Sequence, residues 1–328
     1  MQRRLLAALL GAAAAVSAFA GLPGPAQAQD KCTIALIPGL TTDAFYITMR
    51  KGAEMAAKAV GCELLFQGAP DFNPVTQVPV LQAVIARKPN AILIAPTDKQ
   101  QLIAPLQQAV DAGIPVITVD TFIDDGRYQN GEGAGDFPLS YIATDNVLGG
   151  FLAGLALAKQ VDGKGKVYVS NVKPGISTTD QREEGFKAAM ANFPDITVLE
   201  TQFNDNDANK AASQVQAVFA RNNDLDGVFG ANLFSAIGAA DGVKALGKQG
   251  EIRVVAFDAP SRIVDDLKSG LIDLAVAQHP AEIGYYGVMT AYAVIHGQSV
   301  PPLIGTGATI MTKGNIDDPD VAKFVYSD

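Results

Sequence analysis

The 328-residue sequence predicts an α/β fold in two similar lobes, each a parallel sheet covered by helices on both faces. Three observations carry that expectation. Short apolar runs of strand length alternate with helix-length stretches along most of the chain, the pattern of a buried parallel sheet. The rhythm pauses once, at the polar, glycine-rich "TFIDDGRYQNGEGAGDFPLS" of 121–140, and then starts again. Finally, "RKGAEMAAKAVGCELLF" and "REEGFKAAMANFPDITVLE" line up, each a helix with a charged residue before glycine, then small residues, then a strand. Any two strand–helix–strand units look alike, so this repeat is a weak signal alone. Together with the restart it favours two lobes over one large sheet.

The N-terminus "MQRRLLAALLGAAAAVSAFAGLPGPAQAQD" has a basic start at Arg3 and Arg4, an Ala/Leu-rich stretch, and Ala26-Gln27-Ala28 as a small-residue cleavage site. It reads as a signal peptide of residues 1–28, cleaved before Gln29. The helix-breaking "GLPGP" argues against a retained membrane anchor. Without the leader, about 23 basic residues face 34 acidic ones, a charge of about −11. An acidic exported protein is a poor partner for nucleic acid or an anionic membrane. The 48% apolar and 18% charged shares suit a well-packed globular protein.

In the first half, strand "CTIALIPG" leads to helix "FYITMRKGAEMAAKAVG", followed by "CELLFQG", "VTQVPVLQAVIARK", "AILIAPT", "KQQLIAPLQQAVDAG" and "PVITVD". After the loop come helix "NVLGGFLAGLALAKQ", strand "KVYVSNV", helix "QREEGFKAAMANF" and strand "ITVLETQ". Helices "ANKAASQVQAVFARN", "SAIGAADGVKALG" and "SRIVDDLKSG" then alternate with strands "GVFGANL", "IRVVAFDA" and "LIDLAVAQ". The last amphipathic helix, "AEIGYYGVMTAYAVIHG", has no strand set of its own and is expected to return to the first lobe. Cys32 and Cys62 each open an apolar run. If the two strands are neighbours, the sulfurs are level and a disulfide can form in an oxidising compartment; otherwise they are two unrelated buried thiols.

One helix start poses a problem. Ser177, Thr178, Thr179 and Asp180 are all good N-caps, and Asp180 with Glu183 has the spacing of a capping box. Phe186, Ala189, Met190 and Phe193 then mark the inward stripe, and Arg182, four residues before Phe186, shares it. A guanidinium in a first turn works against the helix dipole. It is expected there because it faces a cleft, with Asp258 as the carboxylate that balances it.

In open α/β sheets, ligands gather beyond the carboxyl ends of the strands. Polar or aromatic residues follow nearly every strand here: Asp43, Phe45 and Tyr46; Asp120 and Thr121; Arg182; Asn206 within "NDND"; Asn232; Asp258; Gln278. Singly, an Asp or Asn in such a place is as often only a helix cap. Collectively, carboxylates, amides and one guanidinium suit a neutral polyol, whose hydroxyls both donate and accept, while aromatic faces cover the C–H face of a sugar ring. No nucleotide loop, nucleophile elbow or Cys–His pair accompanies them, and His279 and His296 lack the carboxylate spacing of a metal site. No catalytic residue, metal or cofactor is expected.

The segments "TIALI…DAFY", "AILIAPTD", "IPVITVD", "IATDNVLGG", "QREEGF", "VFGAN", "VVAFD" and "VAQ…P..IG" together resemble the type I periplasmic sugar-binding proteins of the ribose-binding group, over almost the whole mature chain. The resemblance implies two Rossmann-like lobes joined by a three-strand hinge, residues 29–145 plus 279–307 and 146–278 plus 308–328. It implies a sugar or polyol held between them, delivery to an ABC transporter permease, a periplasmic location and a monomer. It also implies that Asp43, Phe45, Tyr46 and Asp120 meet the ligand from the first lobe. Arg182, Asn206, Asn232, Asp258 and Gln278 would meet it from the second lobe and hinge. Thr121 stands where the ribose-binding group has arginine, Asn206 where it has an aromatic residue, and Tyr46 where it has phenylalanine, which puts ribose itself in doubt. A related repressor would need a DNA-binding segment where the leader stands. A receptor for a sugar-like signal would use the same fold.

Overall fold

The computed structural model describes residues 32–128 and 137–327. The leader expected at 1–28 and the middle of the 121–140 loop, at 129–136, lie outside the described residues. In the first half, β1 (Thr33–Ile37), α1 (Ala44–Val60), β2 (Glu63–Phe66), α2 (Pro74–Ala86), β3 (Ala91–Ile94), α3 (Ile103–Asp111), β4 (Val116–Val119) and β5 (Tyr141–Thr144) follow one another. Next come α4 (Asn146–Gln160), β6 (Lys164–Asn171), α5 (Ser177–Met190), β7 (Asp195–Val198), β8 (Gln202–Phe203), α6 (Ala208–Arg221), β9 (Leu225–Gly230) and α7 (Leu233–Ala245). The chain closes with β10 (Arg253–Phe257), α8 (Ser261–Ser269), β11 (Leu274–Gln278), α9 (Pro280–Ile295), β12 (Leu303–Thr306), β13 (Ala308–Met311) and α10 (Pro319–Ala322).

Two sheets result. The first runs β12-β5-β4-β3-β1-β2, all parallel; the second runs β13-β11-β10-β9-β6-β7, with β8 beside β6 and only β13 antiparallel. Strands such as "AILI" and "VITV" are buried along their whole length, as strands covered on both faces must be. The chain passes between the sheets three times: after Thr144, after Gln278, and at Gly307 between β12 and β13. The strands β12 and β13 were not evident in the sequence. They are four residues each and partly exposed, so neither shows a buried apolar run. The single run "ITVLETQ" is in fact two strands, β7 and the short β8.

Each lobe contains a close helix pair of the same construction, and these two pairs match at their glycines. A Cβ on Gly52 of α1 would overlap the Ala281 carbonyl of α9, and one on Gly284 of α9 would overlap the Met49 carbonyl. In the second lobe, Gly185 of α5 meets the Val147 carbonyl of α4, and Gly150 meets the Arg182 carbonyl. The spacing from carbonyl residue to glycine is three in all four helices, so the repeat seen in the sequence is a structural equivalence. It places Arg182 where the first lobe has Met49, the sixth residue of each helix.

Cys32 and Cys62 each precede their strand by one residue, and Thr33 is paired in register with Glu63. The two sulfurs are bonded, with the Cα atoms 4.6 Å apart.

Candidate ligand-binding site

A narrow cleft lies between the lobes at the carboxyl ends of the strands. It holds about 430 Å³ of empty space with its mouth included. From the first lobe it is walled by Asp43, Phe45, Tyr46, Phe72 and Asp120. From the second it is walled by Thr178, Thr179, Arg182, Asn206, Asn232, Asp258 and Gln278.

The loops that follow the strands aim these side chains. After β4, Thr121 N–H donates back to the Val119 carbonyl, which closes a tight turn on Asp120 at a φ of 63°. After β10, Asp258 has a φ of 78°. Left-handed backbone at a residue other than glycine is strained and concentrates at functional sites. Asp43 accepts the Phe45 N–H as the N-cap of α1, and Asn232 accepts the Ser235 N–H as the N-cap of α7. Both also wall the cleft, so capping and facing the cleft are not alternatives for these residues. The remaining oxygen of Asp43 is left for the cleft; Asp120 uses one oxygen to accept the Tyr46 hydroxyl at 2.7 Å.

Arg182 is buried. Its Nε donates to Asn146 Oδ1 at 2.8 Å, one Nη donates to the Ala231 carbonyl at 3.0 Å, and its guanidinium lies 3.9 Å over the Phe257 ring. Phe257 in turn packs edge-on to Phe229, which stacks on Phe186. The residues that hold Arg182 thus leave a further Nη for the cleft. Asn146 is itself fixed by donating to the Thr144 carbonyl at the first crossing between sheets.

Two expectations about this helix are corrected. Ser177 is its first residue and the cap is Ile176, which makes no side-chain cap bond. Asp180 lies inside the first turn and accepts the Gly175 N–H, while Glu183 accepts from Asn171, Lys187 and Thr201. No capping box forms, and Arg182 falls in the second turn, where the dipole has largely faded. Asp258 does not pair with Arg182 either. Its oxygens accept from Gln278 Nε2, the Tyr326 hydroxyl and the Leu233 N–H. The neutral amide of Asn146 takes the contact instead.

Burial pushes Asp43 up to about 7, with the charge of Asp258 adding to the effect. Burial likewise pushes Asp120 up to about 6, against the opposing pull of Arg182 and the Tyr46 hydrogen bond. The Tyr46 phenol is raised by burial and by the Asp120 charge, so it stays a donor. Three carboxylates around one guanidinium make a cleft rich in acceptors. Two further polar atoms, Thr179 Oγ1 and Gln278 Oε1, are buried in its wall with no partner in the protein.

Nine of the ten ligand-facing candidates therefore converge. Thr121 does not: the turn at Asp120 directs it away, and its hydroxyl donates to the Pro96 carbonyl at 2.7 Å. Phe72, Thr178 and Thr179 join the wall without a signal for it in the sequence. Asn146 and Tyr326 likewise stand behind it. Thr178 and Thr179 stand in a cluster with Ser177 and Asp180 that reads as helix caps. Phe72 and Tyr326 sit in irregular segments that carry no periodic signal.

Residues 34–299 match the family model described as periplasmic binding protein domain. The chain belongs to the periplasmic binding protein family. It is 32% identical over 275 residues to the ribose import binding protein of Escherichia coli, covering 84% of this chain and 88% of that one. It is 30% identical over 304 residues to a D-ribose/D-allose-binding protein of Pseudomonas aeruginosa, covering 90% and 92%. Among solved structures, an ABC transporter solute-binding protein from Agrobacterium vitis bound with α-D-tagatopyranose is 71% identical, with a TM-score of 0.90 over 91% of this chain and all of that one. The two-lobe architecture with helices on both faces of each sheet is the fold of this family.

Proposed function

We propose that this protein captures a monosaccharide between its lobes and delivers it to the permease of an ABC importer, with a ketohexose in its pyranose form as the preferred ligand. The observation that carries this reading is the cleft. It is narrow, walled by three carboxylates, one guanidinium and several amides, and bounded on one side by the Phe45 ring. A pyranose presents hydroxyls around its rim and C–H groups on its faces, and this wall offers partners for both. The narrow space favours one ring over an oligosaccharide. The relative from Agrobacterium vitis, 71% identical and bound with α-D-tagatopyranose, supports the ketohexose.

The ligand would meet Asp43, Phe45, Tyr46 and Asp120 on one side and Arg182, Asn206, Asn232, Asp258 and Gln278 on the other. The lobes are residues 29–145 plus 279–307 and 146–278 plus 308–328. The chain acts as a monomer in the periplasm after cleavage of residues 1–28. It acts as the solute-binding component of that importer.

A thermal-shift and calorimetric comparison of D-tagatose, D-arabinose, D-allose, D-fucose and D-ribose tests the reading. D-Tagatose should give the largest shift, since a ligand at a hundredfold excess over its Kd stabilises the native state by about 2.7 kcal/mol. No shift with any sugar would overturn sugar capture. A larger shift with an aldopentose would overturn the ketohexose.

A further inference from the structure

The residue that closes the back of the cleft comes from the far end of the chain. Tyr326 is buried, and its ring packs edge-on to Phe45 at 5.8 Å between centroids. Its hydroxyl donates to Asp258 Oδ1 at 2.9 Å and accepts the Gln278 N–H at 2.9 Å. Its own N–H donates to the Ala259 carbonyl, and the next residue, Ser327, donates its N–H to Thr48 Oγ1 of α1 at 2.7 Å.

One side chain therefore touches three different parts of the machinery: the ligand-facing carboxylate of the second lobe, the backbone of the second crossing between lobes, and the aromatic wall of the first lobe. We infer that Tyr326 is a positioning residue for ligand capture, and that the tail carrying it straps α1 to the floor of the second-lobe site.

The Asp258 carboxylate shows why a positioning group is needed. Its backbone is left-handed, and its side chain is held by three donors: Tyr326, Gln278 Nε2 at 2.7 Å and the Leu233 N–H at 2.9 Å. Without the phenol, Oδ1 loses a charge-assisted bond and the buried Gln278 N–H loses its acceptor, which is more costly than an exposed loss. The Gln278 side chain keeps its bond to Asp258, so a loosened carboxylate would carry it, and its unpartnered Oε1 in the cleft wall, out of position. The tail also links the lobes. Phe45 and Thr48 belong to one lobe and Asp258 to the other, so any rotation between lobes must break or remake the contacts of Tyr326 and Ser327. A sugar that fixes Asp258 thereby fixes the tail, and the tail fixes α1.

This inference rests on the sugar-capture reading, and the test separates the two. Calorimetric titration with D-tagatose is run on the parent protein, on Tyr326→Phe, which keeps the ring, and on Thr48→Val, which keeps the shape but removes the acceptor. Tyr326→Phe should weaken binding about tenfold and Thr48→Val about threefold. The cycle with Asp258→Asn gives the decisive reading, because the effect of Tyr326→Phe should largely vanish once the carboxylate is gone. In an Asn232→Ala background, whose side chain does not touch Tyr326, it should persist in full. Equal losses from Tyr326→Phe in both backgrounds would make the tyrosine merely structural. Unchanged affinity in Tyr326→Phe overturns the positioning role, and unchanged affinity in Thr48→Val overturns the strap. A parent that binds none of the sugars overturns capture, and this inference with it.

Discussion

Arg182 shows how a residue that looks misplaced in the sequence is accommodated. It occupies the position of Met49 in the other lobe, buried between two helices, and it is made tolerable there by an amide, a carbonyl and an aromatic face. Lysine would keep the charge but could not satisfy the separate Nε and Nη partners while stacking on Phe257. Arg182→Lys should weaken D-tagatose binding tenfold or more, about 1.4 kcal/mol, with a smaller effect on ligand-free stability; equal affinity by calorimetry would show that Arg182 does not meet the ligand. The raised carboxyls give a second expectation. Asp43 and Asp120 titrate near 7 and 6 in the fold, against 3.8 as the ordinary value. Between about pH 4 and 7 the native state therefore holds protons that the unfolded chain has released, so stability from these groups falls as pH rises. The burial that raises these carboxyls belongs to the shut cleft, so the ligand-free protein should be shut more often near pH 5 than near pH 7.5. Its radius of gyration should be smaller at the lower pH, and Asp43→Asn with Asp120→Asn should flatten that dependence. A ligand-free radius that falls as pH rises, and no less in the double variant, would contradict the assignment. The candidate site was legible because a strand end followed by a polar residue marks the cleft of an α/β fold. What was not legible depends on direction: a one-residue turn at Asp120 sends Thr121 outward, and no pattern in the sequence states which way that turn faces.

At the scale of elements, the helices and buried strands were readable because their periodicity is set by burial. The short β12 and β13 were not, because they are held by neighbouring strands and not by an apolar face of their own. The glycine pairs were visible only as a weak repeat, since their meaning lies in the partner helix. Gly150 and Gly185 let α4 and α5 touch backbone to backbone. Gly185→Ala should push the helices apart and cost about 1–3 kcal/mol in urea unfolding. It should also weaken sugar binding, because Arg182 rides on the same helix one turn away. Loss of stability with unchanged binding would show that the position of Arg182 is not set by this contact. The Cys32–Cys62 bond ties β1 to β2 over a sequence separation of 30. Removing it as Cys32→Ser with Cys62→Ser should cost roughly 3–4 kcal/mol on the chain-entropy account. Two titratable thiols in unfolded, unreduced periplasmic protein would show that the bond is not made in the cell.

The molecule as a whole is two lobes joined by three crossings, with two further ties across the cleft rim. At the rim, the Phe122 N–H donates to Ser177 Oγ at 3.1 Å, and Lys99 stands 3.6 Å from Asp180. Each contact joins the lobes, so each exists only while the cleft is shut. Both are modest: a half-exposed ion pair contributes about 0–1 kcal/mol and one neutral hydrogen bond about 1 kcal/mol. Ties of that size hold the lobes weakly and leave the larger part of closure to a ligand, which on the proposed reading would touch both walls and so bind the shut form far better than the open one. Small-angle scattering should therefore show a smaller radius of gyration with saturating D-tagatose than without it, and an unchanged radius would count against rotation about the crossings. The rim can be tested apart from the site, because Lys99, Ser177 and Asp180 do not line the cleft. If the ties set the fraction of shut protein, Lys99→Ala with Ser177→Ala lowers that fraction and raises the apparent Kd in proportion. The expected loss is about threefold to tenfold, with dissociation faster and the enthalpy of the sugar contacts nearly unchanged. A double variant with the parent's Kd and dissociation rate would mean that the rim contacts only accompany closure and that the contacts around Tyr326 on the hinge side carry the coupling.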